Sequence, residues 1–433
     1  MTVLFLFALL FATIAIGVPI SIALGLSSVL FVLAFSDSSL ASLALKLFNA
    51  MNSYTLLAIP FFILSANFMM KGGLAETLMR LSTALVGHIR GGLAASSVLA
   101  CAFFAAISGS SPATVVAVGS IALVGMLQAG YRKEFASGLI CSAGTLGILI
   151  PPSIPFIVYA AATETSVGRL FAAGIIPGAL LTMMFIGTIY VVGRRIALPS
   201  LPRVSVAEVW HAFRAAFWSL LMVVIILGGI YGGVFTPTEA SAVAVVFAFV
   251  VSVFVTRKLR WAEVFSVLLD SAKTSIMLMF IIANAMLFSM VLTEQRIPTI
   301  LTEAIVNAEM SRAVFLIIMN LILLVAGNFM EPTVIILILA PIFLPIATQL
   351  GVDPIHLGVI MVVNMEIAMI TPPVGLNLYV MSAISNMDLW SVTKSVLPWL
   401  MVLLTFLVIV TWVPILSTWL PDLLFGPEMT IPR

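Results

Sequence analysis

The chain has 433 residues, of which 62% are hydrophobic and 8% charged, and its formal net charge is +2. Soluble domains carry about 25% charged residues, so a water-soluble fold is excluded. So small a charge gives no reason to expect nucleic acid.

Apolar runs of about 20 residues recur from end to end, each long enough to cross a bilayer as a helix. The period-two alternation of an outer-membrane barrel is absent, so the expected fold is an all-α polytopic bundle, with ten to twelve spans by windowed reading. The first run, "MTVLFLFALLFATIAIGVPISIALG", has no basic residue ahead of it, since the first Lys or Arg is Lys46, and is expected to be a retained span rather than a signal peptide. Cys101 and Cys141 lie in apolar stretches and read as buried thiols, not a disulfide or a metal pair.

Farther along, "AISGSSPATVVAVG" from Ala106 interrupts a span with three serines, two glycines and a proline. Ser111 is expected to cap a helix, with Pro112 in its first turn and Ser108-Gly109-Ser110 as the preceding turn, so the segment reads as the tip of a re-entrant hairpin. A polar stretch, "GRRIALPSLPRVSVAEVWHAFR" at 193–214, then divides the chain, and a second basic cluster begins at Thr256. About 40 residues separate the clusters, room for two spans, so both face one side, which the positive-inside rule makes cytoplasmic.

The two sides of this divide resemble each other. Pro112 and Pro332, Gln128 and Gln349, Gly130 and Gly351, Pro151-Pro152 and Pro372-Pro373, and Tyr159 and Tyr379 stand 220 or 221 residues apart. The expected organisation is one membrane unit: repeat 1 at 50–195 (tip near 108–112, break near 144–152), a connector with two spans at 196–264, and repeat 2 at 265–425 (tip near 327–333, break near 366–373). Paired Gly/Pro-interrupted segments in two halves point to a transporter's binding site.

Broken helix inside a membrane is tolerated only within protein or against a watery cavity. Free N–H groups at helix starts suit an anion, and unwound carbonyls with Ser, Thr and Asn oxygens suit Na+. Carboxylates at this depth are functional candidates. Glu331 corresponds to Ser111 and Glu366 to Thr145, so the second half has an acid where the first has a hydroxyl. Either acid could ligate or gate a cation, and each could instead satisfy nearby backbone donors. Glu239 in "TPTEAS" reads as a helix-start residue, Asp270 and Lys273 as a pair on one helix face, and His88, His211 and His356 have no assigned role. Without an HExxH zinc pattern, a GK[ST] phosphate loop, or a histidine with a partner in an apolar span, no enzyme is expected, and an ion gradient is the energy source.

These motifs, "IPFFILSANFM" at Ile59, "SGSSPATVVAVG" at Ser108, "GTLGILIPPSIPFIVYA" at Gly144, "TPTEASAVAV" at Thr236, "GNFMEPTVIILILAPIFLP" at Gly327 and "TPPVGLNLYV" at Thr371, resemble the large membrane subunit of the tripartite ATP-independent periplasmic (TRAP) transporters, the DctM-like family, over nearly the whole chain. The resemblance implies the ion transporter superfamily fold, with two inverted repeats, re-entrant hairpins, broken helices and an elevator movement, in the bacterial inner membrane. It implies Na+-coupled import of a small organic acid, a C4-dicarboxylate or sugar acid. The partners it implies are a periplasmic substrate-binding protein and a small four-helix membrane subunit. Carried over, one Na+ site lies among Ser108, Gly109, Ser110, Ser111, Gly144 and Thr145, and a second among Gly327, Asn328, Thr333, Ile370, Thr371 and Pro372. The substrate lies between the tips, near Ser111, Thr114, Pro152, Glu331, Thr333 and Pro373. Alternatives are a stand-alone Na+/divalent-anion symporter, which needs no binding protein, and an ion channel.

Overall fold

A computed structural model describes residues 2–35, 40–195 and 198–426. Every regular element among them is helical, the solution expected where hydrocarbon supplies no partner for backbone N–H and C=O groups.

Helices α1 (Thr2–Ala15), α2 (Ile20–Phe35) and α3 (Leu40–Met51) precede α4 (Ala58–Lys71) and α5 (Leu74–Val86), which meet at a 70° bend. Next come α6 (Gly92–Ser108), α7 (Ser111–Gln128), α8 (Lys133–Ala143), the single turn α9 (Leu146–Leu149), α10 (Ile154–Thr163) and α11 (Val167–Arg195). The connector supplies α12 (Val206–Tyr231) and α13 (Pro237–Val250), the latter prolonged by a π turn to Val255. Then follow α14 (Trp261–Glu294), α15 (Ile297–Asn307), α16 (Arg312–Gly327), α17 (Pro332–Gln349), α18 (Pro354–Ala368), α19 (Leu376–Ser385), α20 (Leu389–Trp412) and α21 (Ile415–Phe425).

Local sequence sets these boundaries. Ser205 with Glu208, and Thr236 with Glu239, form capping boxes that start α12 and α13. Glu239 is therefore the helix-start residue its motif suggests.

Eight helices among the described residues are long and apolar enough to cross a membrane, or nine if the bent α4–α5 pair counts as one span. Seven further apolar helices, α6, α16, α18 and α19 among them, are 10–17 residues long.

Helix starts in the second half follow those in the first by 220 to 222 residues: Gly92 and Arg312, Ser111 and Pro332, Lys133 and Pro354, Ile154 and Leu376, Val167 and Leu389. The correspondence extends to single residues. Glu164 and Asn386, which end α10 and α19, both adopt the left-handed conformation, with φ of 57° and 50°.

The basic clusters gather at one end. Helices α12 and α13 pack against each other, joined by the short turn at 232–236, which brings the start of one beside the finish of the other. There Lys258 pairs with Glu76 at the head of α5, and the Leu201 N–H donates to the Gly87 carbonyl at its foot. The Thr77 hydroxyl of α5 also lies 3.3 Å from that of Ser219 in the middle of α12, so α5 packs along the first half of α12.

Three side-chain readings resolve here. Cys101 and Cys141 are buried and unpaired, as expected. Asp270 and Lys273 form no ion pair; both are exposed, so solvent competes with the contact. His356, passed over in the sequence, is buried on α18 with Nδ1 2.7 Å from Ser417 Oγ. That hydroxyl also donates to the Pro414 carbonyl at 2.9 Å, so it fastens α21 to α18.

Candidate substrate and ion site

Helices α6 and α7 form the first hairpin. Ser108 ends α6, and Gly109 turns the chain in the left-handed region at φ 62°. A Cβ there would sit 2.8 Å from the Pro152 carbonyl oxygen, so both conformation and space require glycine. The N-cap of α7 is Ser110, in extended conformation, one residue earlier than the sequence suggests. Ser111 is already helical, and its hydroxyl is spent elsewhere, within 2.8 Å of Asn377 Nδ2 on α19. Ser108 Oγ lies 2.9 Å from Thr114 Oγ1, which donates to the Ser110 carbonyl at 2.9 Å. No side chain caps α7, so its N–H groups remain open to an outside acceptor.

The second hairpin, α16 and α17, repeats this plan with one change. Gly327 ends α16, packed so tightly that a Cβ would meet that of Ala368 at 2.6 Å. Asn328 follows as C-cap, and Glu331 is the N-cap of α17, with Pro332 at N1. Glu331 accepts from the Thr333 N–H at 3.0 Å and the Thr333 hydroxyl at 2.6 Å. The carboxylate therefore closes the helix start that serine leaves open in the first half.

Each tip is tied to the break that follows it. The Ile154 N–H donates to the Gly109 carbonyl and the Val374 N–H to the Asn328 carbonyl, each at 3.2 Å. The breaks contain the paired prolines, Pro151-Pro152 and Pro372-Pro373, both cis. Gly144 and Thr145 join α8 to α9, where a Gly144 Cβ would strike Val115 of α7, and the Thr145 hydroxyl donates to the Ser142 carbonyl at 2.7 Å. In the second half Ile370 is buried, and Thr371 Oγ1 donates to the Ile367 carbonyl at 2.6 Å.

Between the tips is a cavity of about 300 Å³. Its walls include Gly109, Ser110, Ser111 and Pro112 from the first tip, Glu331, Pro332 and Thr333 from the second, and Thr274, Met277, Leu278 and Ile281 from α14. Both tips therefore face one space, closed on a third side by a helix outside the hairpins. Among the described residues no lysine or arginine lines it.

Of the six residues expected near a substrate, Ser111, Glu331 and Thr333 line this cavity. Thr114, Pro152 and Pro373 do not. Thr114 is buried in the tip's own hydrogen bonds, Pro152 is packed behind Gly109, and Pro373 is exposed with its carbonyl accepting from Tyr379 at 3.1 Å. Asn377 escaped notice in the sequence. It is fully buried and donates to both Ser111 Oγ and, at 3.1 Å, the Cys141 carbonyl, linking the first tip to the second break. Its signal was present: an amide two residues after the glycine of "TPPVGLNLY", in an apolar setting.

The oxygen donors suit a hard cation. The Asn328 Oδ1 atom is buried and receives no hydrogen bond, and such an orphan acceptor calls for a ligand.

A family model described as the tripartite ATP-independent periplasmic transporter, DctM component, matches residues 7–416. The C4-dicarboxylate TRAP transporter large permease protein DctM of Pseudomonas aeruginosa is 59% identical over 98% of this chain and 99% of its own length. Its namesake from Vibrio cholerae is 55% identical, with 99% of each chain covered. Among solved structures, the Alcanivorax borkumensis YdaH transporter superposes with a TM-score of 0.61 at 17% identity, covering 88% of this chain and 90% of that one, a likeness of fold alone. With the motifs, the helical membrane architecture and matches across almost the whole length in agreement, the chain belongs to the DctM family of TRAP transporter large permeases, multi-pass inner-membrane transport proteins and not enzymes.

Proposed function

We propose that this permease imports a C4-dicarboxylate, coupled to Na+, through the cavity between the hairpin tips. The observation that carries the reading is electrostatic. The cavity presents one open helix start, at α7, and one carboxylate, Glu331, with no fixed cation among its described walls. A helix start offers roughly half a positive charge, too little to offset a dianion in an apolar enclosure. A mobile cation completes the balance. The two tip-and-break junctions offer the oxygens for it: Ser108, Gly109, Ser110 and Ser111 with Gly144 and Thr145, and Gly327, Asn328 and Thr333 with Ile370, Thr371 and Pro372.

C4-dicarboxylate is favoured because that is the substrate in the names of the P. aeruginosa and V. cholerae relatives. The family assigns the partners: a periplasmic binding protein that delivers the substrate and a small membrane subunit. In this reading the small subunit has four helices and packs on the scaffold. The matched halves act as inverted repeats, and the hairpins with α8–α10, α18 and α19 move as one body past α14, an elevator.

The test is uptake of labelled succinate into proteoliposomes holding the chain with its small subunit. Uptake requiring both an inward Na+ gradient and the binding protein is expected. Na+-dependent uptake without the binding protein would identify a stand-alone symporter, and currents without a coupling ion a channel. Ser110→Ala and Asn328→Ala should raise the Na+ concentration for half-maximal uptake at unchanged protein abundance. Unaltered Na+ affinity in both would refute the assigned ion ligands.

A further inference from the structure

Glu366 of α18 is fully buried, and neither carboxylate oxygen accepts a hydrogen bond. It differs in this from Glu331, whose oxygens are both used in capping. A carboxylate enclosed without donors or a counter-charge is costly, so an unpartnered one marks a place that something else fills. The polar group against it is the Thr145 side chain, whose hydroxyl donates to the Ser142 carbonyl. Ser142 itself has a buried hydroxyl with no partner. Two orphaned buried groups thus flank Thr145.

Their position is set by the repeat. Thr145 and Glu366 are equivalent residues of the two halves, separated by the spacing that relates the paired prolines. Equivalent residues that touch each other lie on the axis relating the halves. The cluster therefore lies between the two tip-and-break junctions and shares Thr145 with the first. Any ligand there travels with both hairpins.

We propose that Glu366, Thr145 and Ser142 hold a further Na+ on this axis, in addition to those at the junctions. The donor set is all oxygen with one carboxylate, which suits a hard monovalent cation. The site adds one positive charge per cycle. With a dicarboxylate dianion, two Na+ make transport electroneutral, and the axial ion makes it electrogenic.

The inference rests on the Na+-coupled reading above, and one experiment separates the two. Reversal potentials for succinate flux are measured in proteoliposomes holding the complete transporter, with Na+ gradients set against K+/valinomycin potentials. The wild type should move one more Na+ per succinate than Glu366→Gln, which should become insensitive to membrane potential. A wild type indifferent to Na+ would overturn both readings. A Na+-coupled wild type whose stoichiometry survives Glu366→Gln would overturn the axial site alone, as would a variant that loses drive from a pH gradient with its Na+ number intact. If Glu366→Gln does not assemble, Ser142→Ala carries the test. It should raise the half-saturating Na+ concentration several-fold, and an unchanged value would overturn the site.

Discussion

At the first hairpin tip, Ser110 begins α7 without a side-chain bond to the helix, and Ser111 turns its hydroxyl to Asn377. At the second, Glu331 begins α17 and spends both oxygens on Thr333. One tip offers its N–H groups to the shared cavity, and the other has answered them from its own sequence. The breaks differ in the same sense. Pro151 and Pro152 are buried, whereas Pro372 and Pro373 are exposed. Tyr159 is fully buried and donates across the halves to the Pro354 carbonyl at 2.7 Å. Its equivalent, Tyr379, is half exposed and donates to Pro373 in its own break. Two copies of one plan thus differ: the first has an uncapped helix start and a buried break, and the second a self-capped helix start and an exposed break.

The largest effect expected from this difference is at the turn of the first tip. Gly109→Ala forces a side chain into the left-handed region, at about 1–2 kcal/mol, and drives its Cβ toward the Pro152 carbonyl. Uptake should fall more than about tenfold, because 1.4 kcal/mol alone is a factor of ten. Asn328→Ala at the corresponding place has φ −70°, carries no such strain, and should assemble normally while binding Na+ less well. Uptake alongside thermal unfolding of the purified complex checks both. Equal losses of stability would show that the tips are not specialised.

Next in size is the cap. Glu331→Ala removes both bonds to Thr333 and should destabilise the start of α17 by about 0.5–2 kcal/mol. Amide exchange at 331–335 should quicken while that at 110–114 stays unchanged. Glu331→Gln keeps an oxygen for the Thr333 N–H, so it should give a folded but slower transporter. If exchange rises at both tips, the cap supports the whole assembly rather than one helix.

Much of this organisation was legible in the sequence. The paired prolines, the Gln-x-Gly landmarks and the two tips all follow from spacing, because a helix start needs particular residues at particular positions whatever surrounds it. Glu331 as a possible cap and Glu239 as a helix-start residue were readable for the same reason. What could not be read was pairwise geometry. Hydropathy cannot separate a span from two short helices end to end, so α8, α9 and α10 read as one apolar run. Nothing local to "SGSSP" says that Ser111 faces an amide 266 residues away and so yields the cap to Ser110. Thr114 and Pro152 have the composition of a ligand site, but their polar groups or their place in the packing are already committed to holding the tip.

The smallest expected effect is also the cleanest test of the difference between the breaks. Tyr159→Phe deletes one buried hydroxyl and leaves the Pro354 carbonyl without that donor, which should cost about 1 kcal/mol, somewhat more if the carbonyl stays dry. Tyr379→Phe removes a hydroxyl at a site where water can replace it, and should stay within about 0.5 kcal/mol. Because Tyr159 ties α10 of the first half to the start of α18 in the second, its loss should also loosen a contact that the proposed elevator movement would need. Tyr159→Phe should therefore lower the unfolding temperature and the uptake rate together, and Tyr379→Phe should leave both near wild type. If Tyr379→Phe proves the more damaging, the exposed break is held by its tyrosine during transport, and the second half is the one that carries the load.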